Sequence, residues 1–290
     1  MAGASPGPLD QAVEAYRAGK MVEARTLSEP LAKAGDPKAA TLVGFLYEEG
    51  LGGAKDETRA AAYYRTAAAQ NDVDAMVALG RLGIDGKGLV TPTEARSFLS
   101  RAAEANRMDA ASLLGRGILA GKLGKSDAPV AANWLRRAAD SGDAEAAYAL
   151  AIMEMNGDGI PENDVRGLLD LKRAADKDHP AAMADYGLLV YQGKAGKPPS
   201  TSDAAIWFER SAKAGDPEGQ FLYAYSLAKG EGVGRDPIKA YVWLLRSNAQ
   251  GSSGAPEYDS DRAKLKGALE KLLRPDEIAK AAAEAQKPSV

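Results

Sequence analysis

The sequence predicts an all-α protein, a right-handed superhelix of about six to seven helix-turn-helix repeats with a helical cap at its C-terminal end. A phrase of the type "GDPKAATLVGFLYEEG" returns at intervals of 35–37 residues. Within each interval, small and apolar residues recur at helical spacing in two successive stretches, which indicates a pair of amphipathic helices. A fixed period of this length is typical of repeat architectures, so we expect the pairs to stack into one continuous solenoid.

Each interval begins at a junction residue of a type that tolerates the left-handed backbone on which many helices end. The junctions are Gly35, Asn71, Asn106, Gly142, Asp178, Gly215 and Gly251. Asp or Pro usually follows, as in "GDP", "GDA" and "DHP". We therefore expect a helix to stop at each junction and a new helix to begin directly after it.

The first helix of each repeat, helix A, carries the pattern A-x-x-x-[LVY]-[GA]. Its small residues are Gly44, Gly80, Gly115, Ala151, Gly187 and Ala224. A glycine inside a helix costs roughly 1 kcal/mol of helix propensity. The better explanation is therefore that a neighbouring helix approaches closely at this position.

The second helix, helix B, carries A-x-x-[aromatic]-x-x-[basic]-[small]. The aromatic positions are Tyr63, Phe98, Trp134, Trp207 and Trp243, and they include every tryptophan of the chain. These spacings place the pattern on one helix face. We expect each ring to lie opposite the small residue of helix A.

The repeats divide the chain into four regions. Residues 1–8 are predicted to be a flexible N-terminus and residues 9–34 an N-terminal helix pair. Residues 35–251 hold six tandem repeats, and residues 252–290 are predicted to form C-terminal capping helices. Glycine-rich connections of varying length join helix A to helix B, as expected for loops that protrude from a stack.

The combined pattern, A-x-x-x-L-G-x-x-Y-x-x-G-x-G followed by A-x-x-W-x-x-K-A-A-x-x-G, resembles the Sel-one-like repeat, a relative of the tetratricopeptide repeat. The first repeat matches through Val43-Gly44-x-x-Tyr47, and the sixth through Gly230-x-Gly232 and Trp243. The resemblance implies an α/α solenoid that acts as an adaptor in signalling, secretion or cell-envelope complexes. A branch of the family is cross-linked by disulfides, which this chain cannot form because it has no cysteine.

The fourth repeat departs from the pattern. Glu154 stands at the tyrosine position of helix A, and Gly167 and Asp170 stand at the alanine and aromatic positions of helix B. Buried, unpaired carboxylates would be costly. One interpretation is a small register change in which Leu168, Leu169 and Leu171 fill the core. The other is a local bend or a polar site in the middle of the solenoid.

The composition gives no case for nucleic acid or a membrane as the partner. The net charge is −3, which gives no electrostatic case for binding nucleic acid or an anionic membrane. No stretch approaches the ~18–20 apolar residues of a membrane span, so we expect no direct membrane insertion. The start "MAGASPGPLD" lacks a basic region and an apolar core, so it is not a signal peptide. A bare cytosolic start and a mature start after signal removal both fit.

The sequence predicts no enzyme, no cofactor and no metal site. The single histidine, His179, lies in "KDHPAA" at a junction, where we expect a turn or an N-cap. Metal sites and catalytic triads need partners at recognisable spacing, and the chain supplies none around it. The glycine-rich loops lack the preceding strand and the following Gly-Lys-Ser/Thr of phosphate loops, so they are interpreted as turns.

Partner binding is predicted on the concave wall, which helix A lines in solenoids of this type. The C-terminal half offers apolar and aromatic side chains there: Tyr148, Ile152, Met155, Leu188, Tyr191, Phe221 and Tyr225. The N-terminal half offers Arg81 and Arg116, which are adjacent in the stack and could anchor a carboxylate of the partner. The alternative is that several of these side chains pack against neighbouring helices instead.

The leading functional prediction is a monomeric, non-enzymatic adaptor that binds a protein or peptide in bacterial cell-envelope or signalling regulation. We expect a periplasmic location, with the cytoplasm as the alternative. A second hypothesis is a periplasmic protein or enzyme that binds a small molecule or cell-wall fragment. A third is a structural homo-oligomer built by end-to-end stacking, against which the charged, alanine-rich C-terminal region argues.

Overall fold

A computed structural model describes residues 7–249 and 258–287. These residues form sixteen α-helices and no strand, as the sequence predicts. The predicted flexible segment 1–8 lies mostly outside the described ranges, and junction Gly251 lies entirely outside them. The helices group into two compact units, Met1–Ser141 and Gly142–Val290. The prediction of a single continuous stack and the four predicted regions stay predictions.

The first compact unit holds four helix pairs, in which each helix packs on the next. Its helices are α1 (Pro8–Arg17), α2 (Met21–Lys33), α3 (Pro37–Glu49), α4 (Glu57–Ala69), α5 (Val73–Ile84), α6 (Pro92–Glu104), α7 (Met108–Leu119) and α8 (Ala128–Asp140). Helices α5 and α7, both of type A, also touch each other.

The second compact unit holds three repeat pairs followed by two further helices. Its helices are α9 (Ala144–Asn156), α10 (Asp164–Asp176), α11 (Pro180–Gln192), α12 (Thr201–Lys213), α13 (Pro217–Lys229), α14 (Pro237–Ala249), α15 (Asp259–Leu272) and α16 (Pro275–Ala285). Helix α15 packs on α13 and α14, and α16 packs on α14. The last two helices therefore cover the exposed side of the sixth repeat.

The junctions adopt the predicted backbone. Six of them fall in the described ranges and all have positive φ, including Asn71 at 63°, Asn106 at 62° and Asp178 at 60°. New helices begin at once after them. The carboxylates of Asp36 and Asp216 each accept a hydrogen bond from a backbone N–H in the first turn of the following helix, which satisfies a donor that would otherwise be unpaired.

The small residues of helix A mark close helix approaches, as predicted. A methyl group added at Gly44 would lie 2.7 Å from the ring of Tyr64, and one added at Gly115 would lie 2.6 Å from Leu135 Cγ. The side chain that faces each of these glycines thus belongs to the residue directly after the aromatic position of helix B. The prediction that the aromatic ring itself faces the small residue is wrong.

The tryptophans of helix B are instead each covered by an arginine of their own helix, and Trp207 and Trp243 also meet a tyrosine of helix A. Trp207 packs edge-on against Tyr186 with ring centroids 5.2 Å apart. The guanidinium of Arg210, one helical turn later, lies 4.4 Å from the Trp207 ring centroid and donates a 2.7 Å hydrogen bond to the carboxylate of Asp178 at the preceding junction. Trp134 and Trp243 are covered by arginines in the same way. The basic residue of the pattern therefore covers the ring.

The acids of the fourth repeat are buried. Glu154 is 2% exposed and Asp170 is 7% exposed. Asp170 Oδ1 accepts a 2.8 Å hydrogen bond from Arg173 Nη1, so an ion pair takes the place of the aromatic ring and its arginine. Leu169 is 59% exposed, so the interpretation in which a register change buries it is wrong, although Leu171 does lie in the core at 1% exposure. The fourth repeat carries a polar cluster in its core.

Candidate partner-binding groove

An apolar groove opens in the second compact unit between α11, α13 and α15. Its volume is about 500 Å³. We call it the α11–α13–α15 groove. It is lined by Leu188, Tyr191, Phe208, Phe221, Leu222, Tyr225, Ser226, Lys229, Tyr258, Asp261, Lys264, Leu265 and Ala268. Four of the residues predicted for partner binding are in this set.

The rim of the groove presents aromatic side chains to solvent. Tyr191 and Tyr225 are each 38% exposed. The hydroxyl of Tyr191 donates a 2.9 Å hydrogen bond to Glu231 Oε2, and this interaction with a carboxylate raises the pKa of the tyrosine. The hydrogen bond favours this orientation of the ring, in which part of its aromatic surface is exposed at the groove.

The floor of the groove is packed. Phe221 is only 3% exposed, and its ring centroid lies 5.5 Å from that of Tyr258. The buried guanidinium of Arg262 lies 5.4 Å from the Phe221 ring centroid and donates to Asp259 at 3.2 Å. Phe221 therefore supports the groove from below and offers little surface to a partner.

The three predicted residues of α9 do not line this groove. Tyr148 donates a 3.0 Å hydrogen bond to Asp185 Oδ2 and stacks on the His179 ring at 4.5 Å. Ile152 is half-buried, and Met155 packs against α10 at Gly167. Tyr148 is engaged within the protein, and a role in partner binding for these three side chains stays a prediction.

The burial of Asp185 predicts that the stability of the fold depends on pH. Burial raises the pKa of Asp185 above its ordinary value of 3.8, and nearby Asp216 raises it further, against the opposing effects of Tyr148 and His179. A carboxyl whose pKa is raised on folding stabilises the fold below the pKa of the unfolded chain. That contribution is lost as the pH rises through the folded-state pKa. Asp185→Asn keeps an acceptor for the tyrosine but cannot ionise.

We therefore expect the stability of Asp185→Asn, relative to the native chain, to increase between pH 4 and pH 7. Urea unfolding of both chains at several pH values measures this difference in the free energy of unfolding. A difference that stays constant over this range would show that Asp185 has no raised pKa in the folded chain.

The two predicted arginines lie in the first compact unit. Both are exposed, and Arg81 Nη2 lies 3.9 Å from Glu48 Oε1. Arg116 also has an interaction within the protein. The prediction that this pair anchors a carboxylate of the partner stays a prediction.

Sequence reasoning missed the contribution of α15. Tyr258, Lys264 and Leu265 line the groove, although this region was predicted only to cap the stack. The helical spacing of Leu265 and Leu269 indicated an apolar face. The sequence did not indicate that this helix would stand off from α13 and leave a groove between them.

His179 is the N-cap of α11, as predicted. Its Nδ1 accepts a hydrogen bond from the N–H of Ala182 at 3.2 Å, and its Nε2 lies 3.2 Å from Glu145 Oε2. Within the described ranges, no group of three or more histidine, aspartate or glutamate side chains is placed to hold a metal ion. In the same ranges no helix combines the length and the apolar character needed to cross a bilayer.

The repeats match a known family along most of the chain. Six Sel1 repeats are found at residues 37–72, 73–106, 109–143, 144–179, 180–216 and 217–252. The chain belongs to the Sel1 repeat family. Sel1 repeats serve as protein-interaction scaffolds, and their solenoid fold is typically non-catalytic.

Similar proteins include two regulators. The chain is 29% identical over 181 residues to an exopolysaccharide production negative regulator of Rhizobium meliloti (strain 1021), an alignment that covers 58% of this chain and 67% of that protein. It is 30% identical over 139 residues to the chitin synthase regulator SKT5 of Saccharomyces cerevisiae, covering 47% of this chain and 20% of that one.

A solved structure supports the Sel1 fold. The crystal structure of a Sel1 repeat protein from Oxalobacter formigenes superposes with a TM-score of 0.75 at 24% identity, covering 88% of this chain and 76% of that chain. At this identity the likeness shows the fold alone.

Proposed function

We propose that this Sel1 repeat protein is a non-enzymatic adaptor that holds a protein or peptide partner in the α11–α13–α15 groove. The observation that carries the proposal is the groove itself, in which exposed Tyr191 and Tyr225 flank about 500 Å³ of largely apolar space. Aromatic side chains are enriched at the centres of protein interfaces. The similarity to two regulators supports a regulatory role.

The proposal includes a setting. The adaptor acts as a monomer in bacterial cell-envelope or signalling regulation, in the periplasm, with the cytoplasm as the alternative. The similarity to a rhizobial regulator of exopolysaccharide production supports a bacterial envelope process. A chain without cysteine is indifferent to the redox state of either compartment.

We expect a groove variant to lose its partner. Leu188→Glu places a carboxylate on the apolar wall, where an apolar partner side chain would have to desolvate it. Affinity capture from an extract of the native organism, with the purified native chain and the variant side by side, measures the loss. Val165→Glu is the matched control, because it adds the same carboxylate at an exposed apolar residue of the same compact unit, on α10 and outside the groove.

The proposal is supported if the native chain and the control retain partners that a folded Leu188→Glu variant loses. Retention of the same partners by all three chains would contradict binding in the groove. Circular dichroism of each variant checks that the helices are intact.

A second candidate function is binding of a small molecule or a cell-wall fragment. The groove volume of about 500 Å³ falls in the range of small-ligand sites, roughly 300–1,000 Å³. Thermal stabilisation of the purified chain by soluble cell-wall fragments, absent in Leu188→Glu, would favour this candidate.

A further inference from the structure

The lining of the α11–α13–α15 groove carries more positive than negative side chains. The lining holds two ammonium groups and one carboxylate, those of Lys229, Lys264 and Asp261. Asp261 Oδ1 pairs with Lys264 Nζ at 3.0 Å, so these two charges offset each other. Lys229 is the remaining charge of the lining.

Lys229 has no carboxylate within ion-pair distance among residues 7–249 and 258–287. Its Nζ lies 5.7 Å from the ring centroid of Tyr225, so the ammonium stands beside the exposed aromatic wall. The acid nearest in sequence, Glu231, accepts a hydrogen bond from Tyr191. The groove therefore combines an apolar surface with a positive charge that no carboxylate of the described chain offsets.

A ligand that complements this surface carries an apolar group and a negative charge side by side. A carboxylate near Lys229 would gain a charge-assisted hydrogen bond, and an apolar side chain on the groove wall would be removed from water. A groove of about 500 Å³ is the size of a small-ligand site. It accommodates a few side chains of a linear segment, not the face of a folded domain.

Provided that the groove binds a partner as proposed above, we infer that the partner is a linear peptide segment in which an aromatic or branched aliphatic residue adjoins an aspartate or glutamate. The apolar side chain lies against Tyr225 and Leu265, and the carboxylate lies at Lys229. The hydrogen bond from Tyr191 to Glu231 leaves that end of the rim acidic, so a second acid of the partner is disfavoured there.

The test uses a phage-displayed library of random peptides, selected on the full-length chain. We expect the selected peptides to share an apolar residue next to an acid. Synthetic copies are then titrated by fluorescence anisotropy against the native chain, Lys229→Glu and the control Lys122→Glu. Lys122 is an exposed lysine of the first compact unit, so both variants change the net charge equally.

We expect Lys229→Glu to weaken binding of the acidic peptide by about tenfold, through loss of an attractive charge and gain of a repulsive one, while Lys122→Glu leaves it unchanged. A peptide with lysine in place of its acid should regain affinity for Lys229→Glu. This exchange of preference separates direct pairing from a general loss of structure.

The other outcomes are distinguishable. Selected peptides that lack an acid but lose binding in Leu188→Glu would overturn the inference and leave the groove as the binding site. Peptides whose binding survives both Leu188→Glu and Lys229→Glu would overturn the inference and also contradict the proposed site. A selection that yields no peptide would overturn the linear-segment partner, whereas capture of a folded partner through the groove would still uphold the adaptor.

Discussion

Arg173→Met is expected to lower the free energy of unfolding by about 2 kcal/mol, since it removes the guanidinium paired with a buried carboxylate. The side chain of Asp170 is 9% exposed and its oxygen lies 2.8 Å from Arg173 Nη1. Removing one member of a fully buried pair typically costs about 3–5 kcal/mol. The smaller value applies here because Arg173 is 41% exposed and solvent screens its charge.

The matched control for this substitution is Arg210→Met. Arg210 occupies the same position of helix B in the fifth repeat, but it covers Trp207 and pairs with exposed Asp178. Losing these two exposed interactions should cost about 1 kcal/mol, less than the loss expected for Arg173→Met. Urea unfolding followed by circular dichroism measures both variants. Equal losses would show that the buried acid does not depend on its arginine.

A double substitution tests the pairing further. Adding Asp170→Leu to Arg173→Met removes the buried carboxylate that the first change leaves without its guanidinium. We expect the double variant to regain part of the lost stability, with a coupling of about 1 kcal/mol between the two positions. Additive effects would mean that the two side chains act independently.

Gly115→Ala is expected to destabilise the chain by about 1–2 kcal/mol, although alanine is the better helix former. The added methyl group would lie 2.6 Å from Leu135 Cγ and 3.0 Å from the carbonyl oxygen of Ala131. Backbone of the facing helix would therefore have to move, and overpacking of this kind costs about 1–3 kcal/mol.

Gly267→Ala is the control, because Gly267 lies inside α15 and a methyl group added there would meet nothing within 4 Å. It should gain about 0.5–1 kcal/mol from helix propensity alone. Thermal and urea unfolding of the two variants should move in opposite directions. Stabilisation by both substitutions would show that α7 and α8 are not as closely packed as described.

The sequence predicted the repeat architecture because local chemistry determines it. Asn71, Asn106 and Asp178 are among the few residue types that adopt positive φ without large strain, and each of them ends a helix as predicted. The glycines inside helix A likewise indicate close packing. A glycine lowers the stability of a helix, so it is expected there where a neighbouring helix leaves no room for a side chain. The N-cap role of His179 followed from its place between a junction and a proline.

The sequence did not predict which side chains lie opposite each other across helices. Helical spacing defines a face, but it does not say which of two adjacent residues on helix B meets the glycine, and Tyr64 took the place expected for Tyr63. The sequence also left two interpretations open for Asp170, and spacing could not decide between them, because it cannot show that Arg173 reaches the buried carboxylate. The groove depends on how α15 packs against α13, which is a tertiary feature without a local signal.

The arginine-covered tryptophans have a spectroscopic consequence. Trp134 is the sole tryptophan of Met1–Ser141, whereas Trp207 and Trp243 belong to Gly142–Val290. In a chain with Trp207→Phe and Trp243→Phe, tryptophan fluorescence would therefore come from the first compact unit alone. In a chain with Trp134→Phe, it would come from the second compact unit alone. Two different emission midpoints during denaturation would reveal stepwise melting, and one shared midpoint would reveal a concerted transition.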